Sequence, residues 1–366
     1  MPDSFPKVLL LAGKFEVRGS SLYTLRMAER LNAEGIEARI VCSNAARVES
    51  SLRKQLQIQE YSYLDQPLIG RLVLEWLLRD LIDDPPDLIH IQSFRLFRQG
   101  VRLANMLNCP YLLTLHSALP PGVRFRFEGE HVVTVSQSVK QKLIEQTSLP
   151  EKKITVIHPG VETEYSSNLR TVLNPEHRPV VGTAGPLESV KGIPFFLHAA
   201  AAVAKEFPDI EFLVAGGGPD EQGLRKLARN LKIAKQVTFA PNVYDFAASL
   251  NAMDIFCLPS IQQGLGTIML EAMSLGKPVI GTSVGGISSV IQDNETGLIV
   301  PPSNSTQLKD RIVELLKDPV QARAIGEAGR QLVKNNFRLE KMVRMTANLY
   351  RNILATRQQS VPFRKE

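Results

Sequence analysis

Gly264, Gly266 and Thr267 sit where the pattern of the chain changes. Before them, DIFCLPS is a short apolar run with the character of a buried strand; after them, TIMLEAMSLG carries apolar residues at helical spacing. Glycine lets a backbone pass close to a ligand and adopt positive φ without a steric penalty. The first amides of a helix are donors without helical partners and carry about half a positive charge. A phosphate or diphosphate suits such a turn best, although a tight strand-to-helix turn with no ligand accounts for the same spacing. Glu271 follows Thr267 by four residues, so both project from one helix face. An unpaired carboxylate is costly to bury, so Glu271 either faces solvent or meets donors such as a pair of ribose hydroxyls. Eight residues before it stands Gln263, an amide. It can hydrogen-bond sugar hydroxyls but offers no negative charge to a developing oxocarbenium ion.

The elements that must position these residues alternate along the whole chain. KVLLLA, ARIVC, DLIHIQ, PYLLTLH and HVVTVS read as strands in the first half; PVVGTAG, IEFLVAG, QVTFAP, DIFCLPS and PVIGTS do so in the second. Helical periods separate them: SLYTLRMAERL closing at Gly35, the amphipathic LIGRLVLEWLLRDLIDD, a basic helix over 94–107, IPFFLHAAAAVAKEF and DEQGLRKLARNLKI. Continuous apolar runs alternating with helices predict parallel sheets buried on both faces. The expected fold is therefore α/β, with two doubly wound, Rossmann-like domains. In open parallel sheets ligands bind beyond the carboxyl ends of the strands, where the motifs of this chain fall. The polar, proline-bearing segment 168–179 is the expected boundary, and a last helix is expected from Leu339 to Thr356.

At 366 residues the chain is long for one core, which also favours two domains. Its net charge of +6 suits anionic partners, but the excess is too dilute, and too free of finger or basic-run patterns, for nucleic acid. Cys42, Cys109 and Cys257 lie in or beside apolar runs with no C-x-x-C, so buried free thiols and a reducing, cytoplasmic setting are expected. No apolar run reaches membrane-spanning length.

Eight segments, PDLIHIQS, YLLTLHS, VVTVSQSVK, ITVIHPGVE, VGTAGPLESVKG, FLVAGGGPDEQGL, VTFAPNV and DIFCLPS, precede PSIQQGLGTIMLEAMSLGKPVIGTSVGGISS. In this order and spacing they resemble the retaining nucleotide-sugar glycosyltransferases of family 4, with the GT-B fold. The resemblance implies a hexosyltransferase-type enzyme of polysaccharide or glycolipid biosynthesis that keeps anomeric configuration and needs neither metal nor cofactor. It implies an acceptor-side domain over 1–168, with the helix at 339–357 packed back onto it. A nucleotide-sugar domain over 169–338 and a polar tail at 358–366 complete the chain. Gly19, Lys191, Gly264, Leu265, Gly266 and Thr267 would hold the donor diphosphate, Glu271 the ribose, and Asn242 and Val243 the base. His116 would reach the transferred sugar, with Gln263 at the position of the first of two paired acids. Taken alone, Lys191 reads as a solvated lysine at a helix start and His116 as a satisfied strand-end histidine.

Four positions depart from the family pattern: Gln263 replaces an acid, Pro186 an arginine, Arg18 a glycine, and Ser288–Ser289 a Pro–Glu pair. Arg18, beside Gly19, could serve as a replacement cation. Two functions follow, an active transferase with an altered site or a weak or inactive GT-B protein serving as a binding or assembly subunit. The acceptor is a glycan or a lipid-linked molecule of unknown structure. Arg95, Arg98 and Arg102 at i, i+3 and i+7, with Arg124 and Arg126 among aromatic residues, suggest an anionic one and peripheral contact at the inner membrane face.

Overall fold

The computed structural model describes residues 5–15, 19–46, 48–120, 122–165, 169–240 and 246–360. Contacts divide the described chain into two compact units. Residues 5–15, 20–159 and 339–360 form the first; Gly19 and 160–338 form the second.

The first unit runs β1 (Lys7–Leu11), α1 (Gly19–Leu31), β2 (Glu37–Cys42), α2 (Ser50–Gln55), β3 (Ile58–Glu60), α3 (Gly70–Ile82), β4 (Leu88–Ile91), α4 (Phe97–Met106), β5 (Tyr111–Leu115), β6 (His131–Thr134), α5 (Gln137–Gln146) and β7 (Ile154–Val156). Its parallel strands lie in the order β3-β2-β1-β4-β5-β6-β7. The second unit runs β8 (Val180–Ala184), α6 (Ile193–Glu206), β9 (Glu211–Ala215), α7 (Glu221–Asn230), β10 (Val237–Ala240), α8 (Ala247–Ala252), β11 (Ile255–Leu258), α9 (Thr267–Ser274), β12 (Val279–Thr282), β13 (Leu298–Val300), α10 (Ser305–Lys317) and α11 (Pro319–Asn336). Its parallel order is β10-β9-β8-β11-β12-β13. Each sheet therefore reverses direction once, between β1 and β4 and between β8 and β11. At such a point the loops that follow the two central strands part and leave a crevice.

The chain passes between units at Pro159–Gly160, ahead of the proline-bearing segment at 168–179. It then returns to the first unit as α12 (Leu339–Ser360). That helix continues through 358–360, where a polar tail was expected. The short strands β3, β7 and β13, of three residues each, are too brief to show a strand pattern in the sequence.

Strands β4, β5, β8, β11 and β12 are buried at every position, as sheets covered on both faces require. All three cysteines are free and buried. Burial pushes the thiols of Cys42 and Cys109 up to about 12, which keeps them protonated and inert.

Each unit also buries polar groups, by different means. In the first, His90 at the heart of β4 joins Tyr350 Oη of α12 through Nδ1 at 2.5 Å and Thr114 Oγ1 of β5 through Nε2 at 2.7 Å. His90 and Tyr350 are fully buried, and loss of hydration drives the histidine pKa down to about 3. In the second, the carboxylate of Asp254 accepts from the amides of Leu173 and Val180, both at 2.8 Å, and from Arg170 at 3.3 Å. Lys277, 1% exposed, donates to the carbonyls of Asn251 at 2.9 Å and Arg170 at 3.1 Å. Burial lowers its pKa to about 8 despite the nearby Asp254 carboxylate.

Candidate functional site

The loops leaving β8 and β11 meet at the reversal point of the second sheet, and backbone contacts lock them together. The carbonyl of Val190 accepts from the amides of Ile261 and Gln262 at 2.8 and 3.2 Å. Gly192, at φ 64°, lies so close to the Pro259 carbonyl that a Cβ there would stand 2.0 Å from its oxygen. No other residue type fits that place. Lys191, the last residue of a short 3-10 turn from Ser189, is thereby held beside the 259–267 loop. Its Nζ donates to Gln263 Oε1 at 2.6 Å, and Ser260 Oγ donates to the same oxygen at 3.3 Å.

A second brace comes from the turn after β12. The Gly286 amide donates to the Gly264 carbonyl at 2.6 Å. A Cβ on Gly285, at φ 55°, would stand 1.8 Å from the Gln263 oxygen. The Gly285–Gly286 pair thus fixes the path of residues 263–264 from behind. Ser289 Oγ turns back to the Gly286 carbonyl at 2.7 Å, and Ser288 is exposed. Gly266 enters α9 at φ 84°, ψ 61°, a left-handed conformation that Cβ-bearing residues rarely adopt. The amides of Thr267 and Ile268 then open the helix with no acceptor among the described residues. Leu265 is buried beneath them. One turn on, Glu271 is 4% exposed, so it is a buried acid on the helix that opens this loop.

Lys191, Gln263 and the 264–267 backbone are therefore brought together, with Glu271 one turn along α9. What assembles here is one cation, two helix-start amides and a hydrogen-bonding amide side chain. That set can hold an oxygen-rich dianion and neighbouring hydroxyls. Pro186, on the loop after β8, adds no charge. Asn242, Val243 and Arg18 lie outside the described residues.

Gly19 opens α1 and groups with the second unit, where a Cβ on it would stand 2.8 Å from Thr267 Oγ1. His116 follows β5 in the first unit. Its ring meets that of Tyr23 edge-on at 5.0 Å, and its Nε2 is shielded from water with no partner among the described residues. Desolvation lowers its pKa to about 4, and the Gln92 backbone carbonyl opposes that shift only in part. At neutral pH it is an uncharged imidazole, fit to accept or donate one hydrogen bond but not to supply a cation.

The basic face of the first unit is ordered differently from its sequence. Along 124–127 arginines and phenylalanines alternate: Arg124 and Arg126 point outward, while Phe125 and Phe127 are half-buried. The two rings stack at 6.0 Å and pack with Phe94 and Phe97, themselves stacked at 5.9 Å. The aromatic residues of this loop thus brace α4 and do not project from it. Arg95, Arg98 and Arg102 are exposed alongside, and of the five arginines Arg126 is the one paired with an acid among the described residues, Glu128 at 2.8 Å. Exposed apolar side chains also lie on and just before α3, where Leu68, Leu72 and Trp76 follow one another at four-residue spacing.

Sequence reasoning missed two supports of this site. The glycine pair 285–286 was a visible signal, since adjacent glycines mark close backbone approach. Ser260, a fully buried hydroxyl, carried none. Among the described residues no group of three His, Cys, Asp or Glu side chains is placed to hold a metal ion, and no helix is long and apolar enough to cross a membrane.

Comparison with known proteins follows the same division of the chain. Residues 166–332 match the model of the glycosyl transferases group 1, and residues 17–165 match that of Glycosyltransferase Family 4. The N-acetyl-alpha-D-glucosaminyl L-malate synthase of Bacillus anthracis is 32% identical over 241 residues, 63% of this chain and 62% of that protein. The chain thus spans less than two thirds of the length of that curated relative. Among solved structures, a glycosyltransferase from Rickettsia africae is similar at 25% identity and a TM-score of 0.78, covering 96% of this chain and 99% of that one. The Anabaena protein HepE, solved in complex with UDP-glucose, shares the fold at 18% identity and a TM-score of 0.78 over 94% and 99% of the two chains.

Proposed function

This chain belongs to the group 1 glycosyltransferases of GT-B fold, and from that premise we propose that it moves a sugar from a nucleoside-diphosphate sugar to an acceptor, with retention of configuration and without a bound metal. The observation that carries this reading is the hydrogen bond of Lys191 Nζ to Gln263, in the loop that leads through Gly266 into the opening amides of α9 at the reversal point of the second sheet. In the proposed reaction the bond from the anomeric carbon to the diphosphate oxygen breaks, and a bond to the acceptor oxygen forms on the same face. The acceptor proton passes to the departing diphosphate. The negative charge that develops on the leaving group falls on Lys191 and the amides, and preorganised donors aimed at developing charge are the strongest source of such catalysis. In this reading Glu271, the buried acid of α9, takes the ribose hydroxyls.

Calorimetric titration with UDP, GDP and ADP, each without metal, tests the donor site. One series should bind in the micromolar range, and Lys191→Ala should weaken it about tenfold or more, roughly 1.4 kcal/mol per decade. Failure of every series to bind would remove the donor reading. The anomer of the product, read by NMR, tests retention; an inverted product refutes it.

The uncharged pair Pro186 and Gln263 favours a second reading, a protein that binds nucleotide sugar as an assembly subunit. Tight nucleotide binding with neither transfer nor slow hydrolysis would select it. Arg95, Arg98, Arg102 and Arg124, exposed and without an acid partner among the described residues, support an anionic acceptor and peripheral contact with an anionic membrane. Cosedimentation should then be stronger with anionic than with neutral vesicles, and equal binding to both rejects the contact.

A further inference from the structure

Gln263 invites a different account from that of a weakened catalytic acid. Its Oε1 receives two donors, Lys191 Nζ at 2.6 Å and Ser260 Oγ at 3.3 Å. An atom with two donors on it is an acceptor, so the partners themselves fix the orientation of the amide. The backbone beneath is pinned by Gly285 and Gly286, so the side chain starts from an immobile base. In the described loops at this end of the sheet, 185–192, 216–220, 259–267 and 283–289, Lys191 is the one cationic side chain, against the acids Glu188 and Asp220. A carboxylate in place of the amide would give Lys191 a full counter-charge and set a like charge beside an incoming diphosphate.

We infer that Gln263 is a positioning residue: its carbonyl aims the Lys191 ammonium at the donor diphosphate while leaving the ammonium its full charge. The inference rests on the donor reading above and adds to it a reason for the amide. The loop whose Pro186 contributes no second cation is matched by a partner that neutralises none of the first. A neutral acceptor is also easier to leave than an ionic one, so the lysine can pass to phosphate oxygens as the donor enters. The amide nitrogen, facing away from its two-donor oxygen, remains for a hydroxyl of the transferred sugar.

The test is the nucleoside-diphosphate affinity of wild type, Gln263→Glu and Gln263→Met across pH, by calorimetry, with thermal melting to confirm that each variant is folded. Gln263→Glu, nearly isosteric, should raise Kd about tenfold or more at pH 7.5. Its deficit relative to wild type should shrink as the pH falls toward 5 and the new carboxylate takes up a proton, because titration of the ligand's own terminal phosphate is common to both proteins. Gln263→Met, which removes the acceptor and keeps the bulk, should raise Kd about threefold over wild type, by the same factor at every pH. A Gln263→Glu protein that binds as well as wild type at pH 7.5, or whose deficit does not change with pH, overturns the inference and leaves the donor site standing. A wild type that binds none of UDP, GDP and ADP overturns both.

Discussion

The two units share one sheet order over six strands, to which the first adds β7, yet they bury their polar groups in opposite ways. The first keeps a neutral network, His90 between Tyr350 and Thr114. The second keeps charges, with Asp254 held by two backbone amides and Arg170, and Lys277 held by two carbonyls. A buried neutral histidine resists only so long as water offers it no proton. A buried carboxylate held by amide donors and an arginine is instead costly to disturb. The difference teaches where each unit yields: the first to acid, the second to loss of a charged partner.

The largest effect expected is from Tyr350→Ala. It removes a fully buried ring and takes the Tyr350 hydroxyl from His90 Nδ1, at a cost of about 5 kcal/mol. Hydrogen exchange should show protection lost in the first unit; equal loss in both units would break the comparison. Asp254→Asn should cost about 4 kcal/mol, because the amide cannot accept all three donors and leaves Arg170 without its counter-charge. Protection should fall first around β8 and β11.

Acid comes next. Burial lowers the pKa of His90 to about 3 and of His116 to about 4, against 6.5 for the free side chain. Below pH 6.5 the unfolded chain takes protons that the folded unit refuses, so stability is lost as the pH falls. The slope is about 1.4 kcal/mol per pH unit for each histidine. It lessens as His116 and then His90 accept protons in the folded state. Urea melts between pH 7 and 4 should show this slope, and His90→Gln should reduce it. The smallest effect lies on the alkaline side. Burial holds the pKa of Lys277 at about 8 in the folded protein, against 10.5 for the free side chain. Between these values the unfolded chain holds a proton that the folded one has lost, so stability rises with pH. The difference between wild type and Lys277→Met should change by up to about 1.4 kcal/mol per pH unit over that window and stay level below it.

Much of the fold was legible because the long strands are buried on both faces and so read as unbroken apolar runs. β3, β7 and β13 escaped, since three residues carry no period. The place of Lys191 beside the 264–267 turn was implied by the family resemblance, but its bond to Gln263 was not, because side-chain partners across 72 residues leave no trace in spacing. Glu271 was open between solvent and interior on pattern alone, and packing decided it. The loop at 124–127 shows the limit most clearly. Its composition suggested a projecting aromatic and basic surface, whereas its alternation, a two-residue period visible in RFRF, turns the rings inward against Phe94 and Phe97.

One consequence of α12 concerns the order in which the molecule can be made. The first unit is encoded in two pieces, with the whole second unit between them, and Tyr350 fills its interior from the later piece. A chain emerging from the ribosome completes the second unit before it holds the last helix of the first. Until residue 350 is translated, His90 lacks its tyrosine and the groove for α12 stands open. The half that begins synthesis is the half that finishes folding last.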